Sequence, residues 1–278
     1  MGPEMFDSGG IVRRVLSIGL VALLVGLPAA GAGLGTVGVV LAHATPALFH
    51  ARGASTTTQS YNWGGWAVTA SKGTVTDVKG SWIVPKIQGT CPSGYQYSSF
   101  WIGIDGYNSN SVEQTGTDSD CQGGSPTYYA WFEFYPNPSH LISAVAVHPG
   151  NYISAEVHFA NSKFTVTLKD LNTSKSFSKT STVKGSRSSA EWIAEAPSSG
   201  TSILPLADFG TAKFGADATG VTGTGDATIS GTTGAIGSFT NTVQITMINH
   251  AGTATKASPS ALTPDGSSFN MTWVSAGP

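Results

Sequence analysis

The stretch Tyr152-Ile153-Ser154-Ala155-Glu156-Val157-His158-Phe159-Ala160 decides the fold class, together with Lys163-Phe164-Thr165-Val166-Thr167-Leu168-Lys169-Asp170 just after it. Ile153, Ala155, Val157 and Phe159 alternate with Ser154, Glu156 and His158, and Phe164, Val166 and Leu168 repeat the pattern. A period of two sends successive side chains to opposite faces of a strand, so each segment has one dry face and one wet face. Ala160-Asn161-Ser162 is short enough to close the two into a hairpin. Working outward, β-branched and aromatic runs recur between Gly, Asn, Ser and Pro clusters about every ten residues, the signature of an antiparallel sandwich or barrel. Strands are expected at Trp63 to Thr69, Thr74 to Val84, Ser98 to Asp105, Thr127 to Tyr135, Ala190 to Glu195, Val243 to Asn249 and Phe269 to Val274. No segment supports a helix longer than a turn or two, and no fixed-period repeat is present, so residues 61 to 278 read as one all-β domain.

The first residues do not belong to that pattern. Arg13 and Arg14 precede an uncharged, glycine-rich apolar stretch from Val15 to Ala42, with small-residue cleavage patterns at Ala30-Gly31-Ala32 and Ala42-His43-Ala44. Residues 1–44 read as an export signal, which Pro28 and the glycines favour over a permanent membrane anchor. Residues 45–60 are polar and aperiodic, as expected of a linker or a pro-segment remnant. Together these give a secreted, monomeric protein with no stable membrane association after cleavage.

Only 11% of the 278 residues are charged, the net charge is -2, and no basic run follows the signal, which excludes nucleic acid as a partner. Scarce charge also leaves few ion pairs for acid to break. The two cysteines, Cys91 and Cys121, follow an export signal and read as one disulfide; a metal site needs more ligands than two. The chain has no G-x-S-x-G elbow, no H-E-x-x-H pair and no cysteine outside that pair, and its six histidines are scattered. Neither metal nor cofactor is expected.

Alternation sorts the aromatic runs. Trp131, Glu133 and Tyr135 share one strand face and Phe132 and Phe134 the other, while Trp101, Gly103 and Asp105 oppose Ile102 and Ile104. Two aromatic-plus-acid stripes make a groove, with the phenylalanines packed between the sheets. Glu191 and Glu195 alternate with Ala190, Trp192 and Ala194, and an acid shielded by tryptophan on a strand face has a raised pKa.

The segments Asn62-Trp63-Gly64-Gly65, Trp101-Ile102-Gly103-Ile104-Asp105-Gly106, Gln114-Thr115-Gly116, Trp131-Phe132-Glu133-Phe134-Tyr135-Pro136 and Ala190-Glu191-Trp192-Ile193 resemble, in order and spacing, the motif set of the glutamic peptidases, or eqolisins. The resemblance runs from about Tyr61 to the C-terminus. It implies a concanavalin-like sandwich of two bent antiparallel sheets and an acid endopeptidase acting on proteins or peptides. By position, Gln114 and Glu191 match the catalytic pair, and Trp101, Asp105, Asp118, Trp131, Glu133 and Tyr135 match residues that line or support the cleft. Two positions depart: Tyr129 stands where fungal members can carry an aspartate, and Thr117 replaces an aromatic residue. The residues alone leave two rivals: a carbohydrate-binding or glycan-cleaving sandwich using Glu133 and Glu191, and a non-catalytic adhesion sandwich.

Overall fold

The computed structural model describes residues 56–199 and 202–277; the expected export signal and most of the linker lie outside them. In chain order the strands are β1 (Thr57–Ser60), β2 (Trp63–Thr69), β3 (Val75–Ile83), β4 (Tyr95–Gln96), β5 (Ser99–Ile104), β6 (Val112–Gln122) and β7 (Ser125–Tyr135). They continue as β8 (His140–Leu141), β9 (Tyr152–Ala160), β10 (Lys163–Asp170), β11 (Ser176–Ser181), β12 (Ser189–Glu195), β13 (Ser198–Ser199) and β14 (Ser202–Ile203). The set ends with β15 (Thr211–Phe214), β16 (Asp226–Ile229), β17 (Thr232–Ala235), β18 (Thr242–Ile248), β19 (Thr255–Pro259) and β20 (Phe269–Trp273). Among the described residues the one α-helix is the single turn Ala216–Thr219, and no helix is long and apolar enough to cross a membrane.

These strands form an antiparallel β-sandwich, and a barrel is not seen. One layer runs β8-β7-β6-β5-β12-β2-β18 and the other centres on β3-β9-β10-β11, with β15 and β16 on the free side of β3. The layers are not separate sheets: β18-β19-β20-β15-β3 carries the hydrogen-bond ladder round the fold from one to the other. β3 packs over β5 and β12, and β9 and β10 pack over β6. Phe100, Ile102, Ile104, Trp192 and Phe132 of one layer meet Val78, Trp82, Val157, Phe164 and Val166 of the other in the main core. Burying a side chain of this size stabilises by roughly 1.5–3 kcal/mol, so alternation alone is enough to drive the layers together.

The Tyr152 to Asp170 hairpin forms as expected: Ala160 pairs with Lys163 across Asn161 and Ser162, both at positive φ, which matches the twist of the flanking strands. The expected strands form with ends within two residues. β6 was not anticipated, because its Asp, Gly, Gln and Ser residues lack strand propensity. It is nonetheless a long buried strand, held by polar contacts described below. The chain enters the sheet ahead of Tyr61, since β1 pairs in parallel with β18 from Thr57 onward. Cys91 and Cys121 are disulfide bonded, as expected.

Candidate active site

The strand register brings the two motif residues into one row. Glu191 on β12 lies opposite Gly103 on β5, Gly103 opposite Gln114 on β6, and Gln114 opposite Glu133 on β7. The period of two then puts Glu191, Gln114 and Glu133 on one face of the layer. Gly103 puts no side chain between the first two, and the position is closely packed: a Cβ there would sit 3.1–3.2 Å from Trp101, Val112 and the Glu113 carbonyl. The adjacent row holds Ile193, Trp101, Gly116 and Trp131, and the next holds Glu195, Ser99, Asp118 and Tyr129. Trp63, Trp101, Tyr107, Trp131 and Ile193 form a second apolar cluster on this face, separate from the main core, with Tyr129 and Tyr135 packed against it. Phe132 and Phe134 point the other way into the core, so the expected sorting of faces holds.

Glu191 is completely buried, and among the described residues neither of its carboxyl oxygens has a hydrogen-bond partner within bonding geometry. Burial pushes its pKa well above the usual carboxylate range, with Asp105 and Glu113 adding like-charge repulsion; the Ser189 hydroxyl and the Tyr107 backbone amide pull the other way and lose. Gln114 Nε2 donates to Glu133 Oε2 at 2.6 Å, which fixes the amide with its nitrogen toward Glu133. Burial raises Glu133 to about 8, against the lowering effect of that hydrogen bond and with a further push from Glu195.

Three tryptophan and tyrosine donors hold the remaining acids. Trp101 Nε1 donates to Glu195 Oε2 at 2.8 Å, and Asn62 donates to its other oxygen at 3.2 Å. Burial still takes Glu195 to about 7. Trp131 Nε1 donates to Asp118 Oδ1 at 2.6 Å, and the Tyr129 hydroxyl lies 2.8 Å from both Asp118 Oδ2 and Asp120 Oδ2.

The expected site residues therefore separate into groups. Gln114, Glu191, Glu133, Trp131 and Asp118 come together on one face, with Tyr135 half-buried at its edge. Trp101 lies on the same face but is fully buried, with its indole N–H bonded to Glu195. Asp105 turns away: its φ of 75° swings the carboxyl toward the segment leading into β12, where it accepts from the Arg187 and Ser188 backbone amides at 2.6 and 2.8 Å. It anchors the loop that delivers Glu191.

Glu113 and Asp120 were not singled out from the sequence. Both are fully buried, and Glu113 has no hydrogen-bond partner among the described residues. Burial, with the Asp105 charge adding to it, lifts Glu113 to about 9. The signal available was an acid in a strand whose neighbours on both sides are buried, which is visible only once β6 is recognised as a strand.

Two other features lie apart from this row. A cavity of about 610 Å³ opens on the opposite face of β7, lined by Phe132, Phe134, His140, Phe177 and Lys179, with no carboxylate. Asp77, Glu156 and His158 cluster closely enough on the surface for a metal ion, but the Lys79 ammonium is already 3.4 and 3.2 Å from the two carboxylates and supplies the positive charge they need.

Residues 61–263 match the Peptidase A4 family. The chain is 34% identical to Aspergillopepsin-2 of Aspergillus niger over 203 residues, 63% of this chain and 71% of that protein. It is 33% identical to Scytalidopepsin B of Scytalidium lignicola over 140 residues, 48% of this chain and 51% of that protein. In fold it resembles scytalido-glutamic peptidase, solved with a transition state analog inhibitor: TM-score 0.64 at 24% identity, covering 77% of this chain and 99% of that one. The crystal structure of aspergilloglutamic peptidase from Aspergillus niger is similar at a TM-score of 0.54 and 28% identity, covering 64% and 99%. A family match over most of the chain, ending in the same sandwich, settles its membership: this protein belongs to the Peptidase A4 family, the glutamic peptidases, and is a peptide-bond hydrolase.

Proposed function

We propose that the protein is a secreted acid endopeptidase in which Glu191 and Gln114 form the catalytic pair and the tryptophan-lined groove binds an extended peptide. The observation that carries this reading is the register row Glu191-Gly103-Gln114-Glu133, in which the one residue between proton carrier and amide donor has no side chain. The Glu191 carboxylate takes a proton from water, the hydroxide adds to the scissile carbonyl carbon, and the second N–H of Gln114 holds the oxyanion. Glu191 then returns the proton to the departing amine as the C–N bond breaks, leaving an acid and an amine. Glu133 keeps the amide aimed through the 2.6 Å bond.

A base must be ionised, and a completely buried carboxyl resists ionisation. Entry of the attacking water gives Glu191 a donor and lowers its pKa toward the acid range. Glu191 has no exposed surface, and Tyr107 lies close enough to interact with its charge, so water and substrate must gain access past its neighbours. For the precursor, residues 1–44 act as the export signal, and the mature chain keeps Thr57–Ser60, because that strand is part of the sheet.

The test is Glu191→Gln beside Gln114→Ala on denatured protein substrate at acid pH. The first keeps shape and removes the proton carrier, so kcat falls by several orders of magnitude with folding intact. The second removes one oxyanion donor and costs about a hundredfold or more. Near-normal turnover in Glu191→Gln rejects the pair and moves the role to Glu133.

A further inference from the structure

We propose that Tyr129, clamped between Asp118 and Asp120, is a positioning residue for Trp131, and that the clamp holds peptide in the groove only while the two aspartates share a proton. This rests on the groove being the peptide site. The Tyr129 oxygen lies 2.8 Å from Asp118 Oδ2 and 2.8 Å from Asp120 Oδ2, yet a phenol has one proton to donate. One contact is Tyr129 donating to a carboxylate. The other must be a protonated aspartate donating to the phenol oxygen, since two facing sets of lone pairs at that distance in a buried site repel.

The outer oxygens of the pair say which is which. Asp118 Oδ1 accepts the Trp131 indole N–H at 2.6 Å, a short bond of the charge-assisted kind, which makes Asp118 the carboxylate. Asp120 Oδ1 accepts the Ser98 backbone N–H at 3.0 Å, which leaves Oδ2 to carry the proton. Burial raises both aspartates, and Asp118 adds its charge to the rise at Asp120. The other groups facing the pair are Glu195 from β12, Tyr97 and the Ser99 hydroxyl from the segment entering β5, and the Gln122 side chain at the end of β6. No lysine or arginine among the described residues acts on it.

The chain Asp120-Tyr129-Asp118-Trp131 thus ends on the ring beside the Gln114–Glu133 row. Trp131 pairs with Gly116 on β6, one register step of two residues from the Gln114–Glu133 pair. When the shared proton leaves to solvent, two adjacent charges face the Tyr129 oxygen, the clamp opens, and the indole loses its fixed acceptor. Peptide binding weakens while the proton-transfer groups stay in position, so the effect belongs to KM.

The experiment pairs kinetics with the ¹⁵N-indole signal of Trp131, read by NMR across pH in protein without substrate. In the wild type the signal and KM should move together as pH rises, KM by about tenfold, the worth of one charge-assisted bond. Tyr129→Phe should raise KM about tenfold already at acid pH, with kcat within about twofold. Asp120→Asn offers an amide N–H that needs no titrating proton. It should keep the acid-pH KM and abolish the rise. An indole signal indifferent to pH and to Tyr129→Phe overturns the clamp. So does Asp120→Asn with the wild-type rise in KM, a variant that serves even if Tyr129→Phe fails to fold. A signal that moves in Tyr129→Phe while KM does not upholds the clamp and overturns the groove as the peptide site.

Discussion

At the scale of single residues, Glu113 shows how a side chain sets a pH window without touching substrate. Its carboxyl is buried beside Asp105, and a Cβ on Gly185 would come within 2.7 Å of its oxygen, so no space is left there for solvating groups. Its folded pKa, about 9, lies above the ordinary glutamate value, so folding takes up a proton between the two. The stability tied to that proton is fully present below about pH 4 and falls as pH rises toward 9, by up to about 1.4 kcal/mol per pH unit. Glu113→Gln removes the titration and keeps the shape. In urea unfolding, the variant should match the wild type near pH 4 and exceed it increasingly from pH 5 to 8.

At the scale of elements, β7 sends its two faces into different clusters, which on the proposed reading separates function from stability along a single strand. Trp131 belongs to the groove cluster and Phe134 to the core, although Phe134 also borders the open cavity. Trp131→Ala should raise KM with a modest loss in melting temperature, whereas Phe134→Ala should lower melting temperature and leave KM nearly unchanged. Phe100 sets the scale, being fully buried between Phe209 and Phe214. Phe100→Ala should cost about 3–5 kcal/mol, with Phe134→Ala below it because a wall already facing a cavity loses fewer contacts. Calorimetry of the three variants beside KM checks the order. The opposite pattern for Trp131 and Phe134 would mean that the functional face of β7 is the cavity side.

For the whole molecule, seven acids, Asp105, Glu113, Asp118, Asp120, Glu133, Glu191 and Glu195, are buried on the two faces of the layer that carries Glu191 and Gln114 or in the loop beside it, all with raised pKa values. A raised carboxyl gives stability that is complete below its unfolded pKa and is lost as pH climbs through its folded one. Asp118 at about 6, Glu195 at about 7 and Glu133 at about 8 place their loss between about pH 4 and 8. On the acid side there is little to break, because the described ion pairs gather at the one surface cluster of Asp77, Lys79, Glu156 and His158. The urea midpoint should therefore be highest near pH 4 and fall steadily from about pH 5 upward; a midpoint that rises between pH 4 and 7 would be the opposite result. The Cys91–Cys121 bridge adds a constraint independent of pH. It closes a loop of 30 residues that carries Trp101 and Gln114, and its removal should cost about 3–4 kcal/mol at acid and neutral pH alike.

Much of this was already determined by the amino-acid sequence alone. Alternation in Tyr152 to Asp170 settled an all-β fold, because a period of two belongs to strands whatever they pack against. The same rule placed Trp131, Glu133 and Tyr135 opposite Phe132 and Phe134, and two cysteines allowed one disulfide. Ordered motifs pointed to the family and brought Gln114 and Glu191 forward as a pair. What only the tertiary structure decided is which rows face each other. Register between strands far apart in sequence aligned Glu191 with Gly103, Gln114 and Glu133, and a positive φ at Asp105 turned an expected groove residue into a loop anchor. β6 escaped notice because propensity describes a residue's own backbone, whereas its Asp118 and Gln114 are held by Trp131, Tyr129 and Glu133 on the neighbouring strand. Burial, and with it every raised pKa in the groove, is likewise a property of the closed layers: a carboxyl's charge becomes costly only after its neighbours have excluded water.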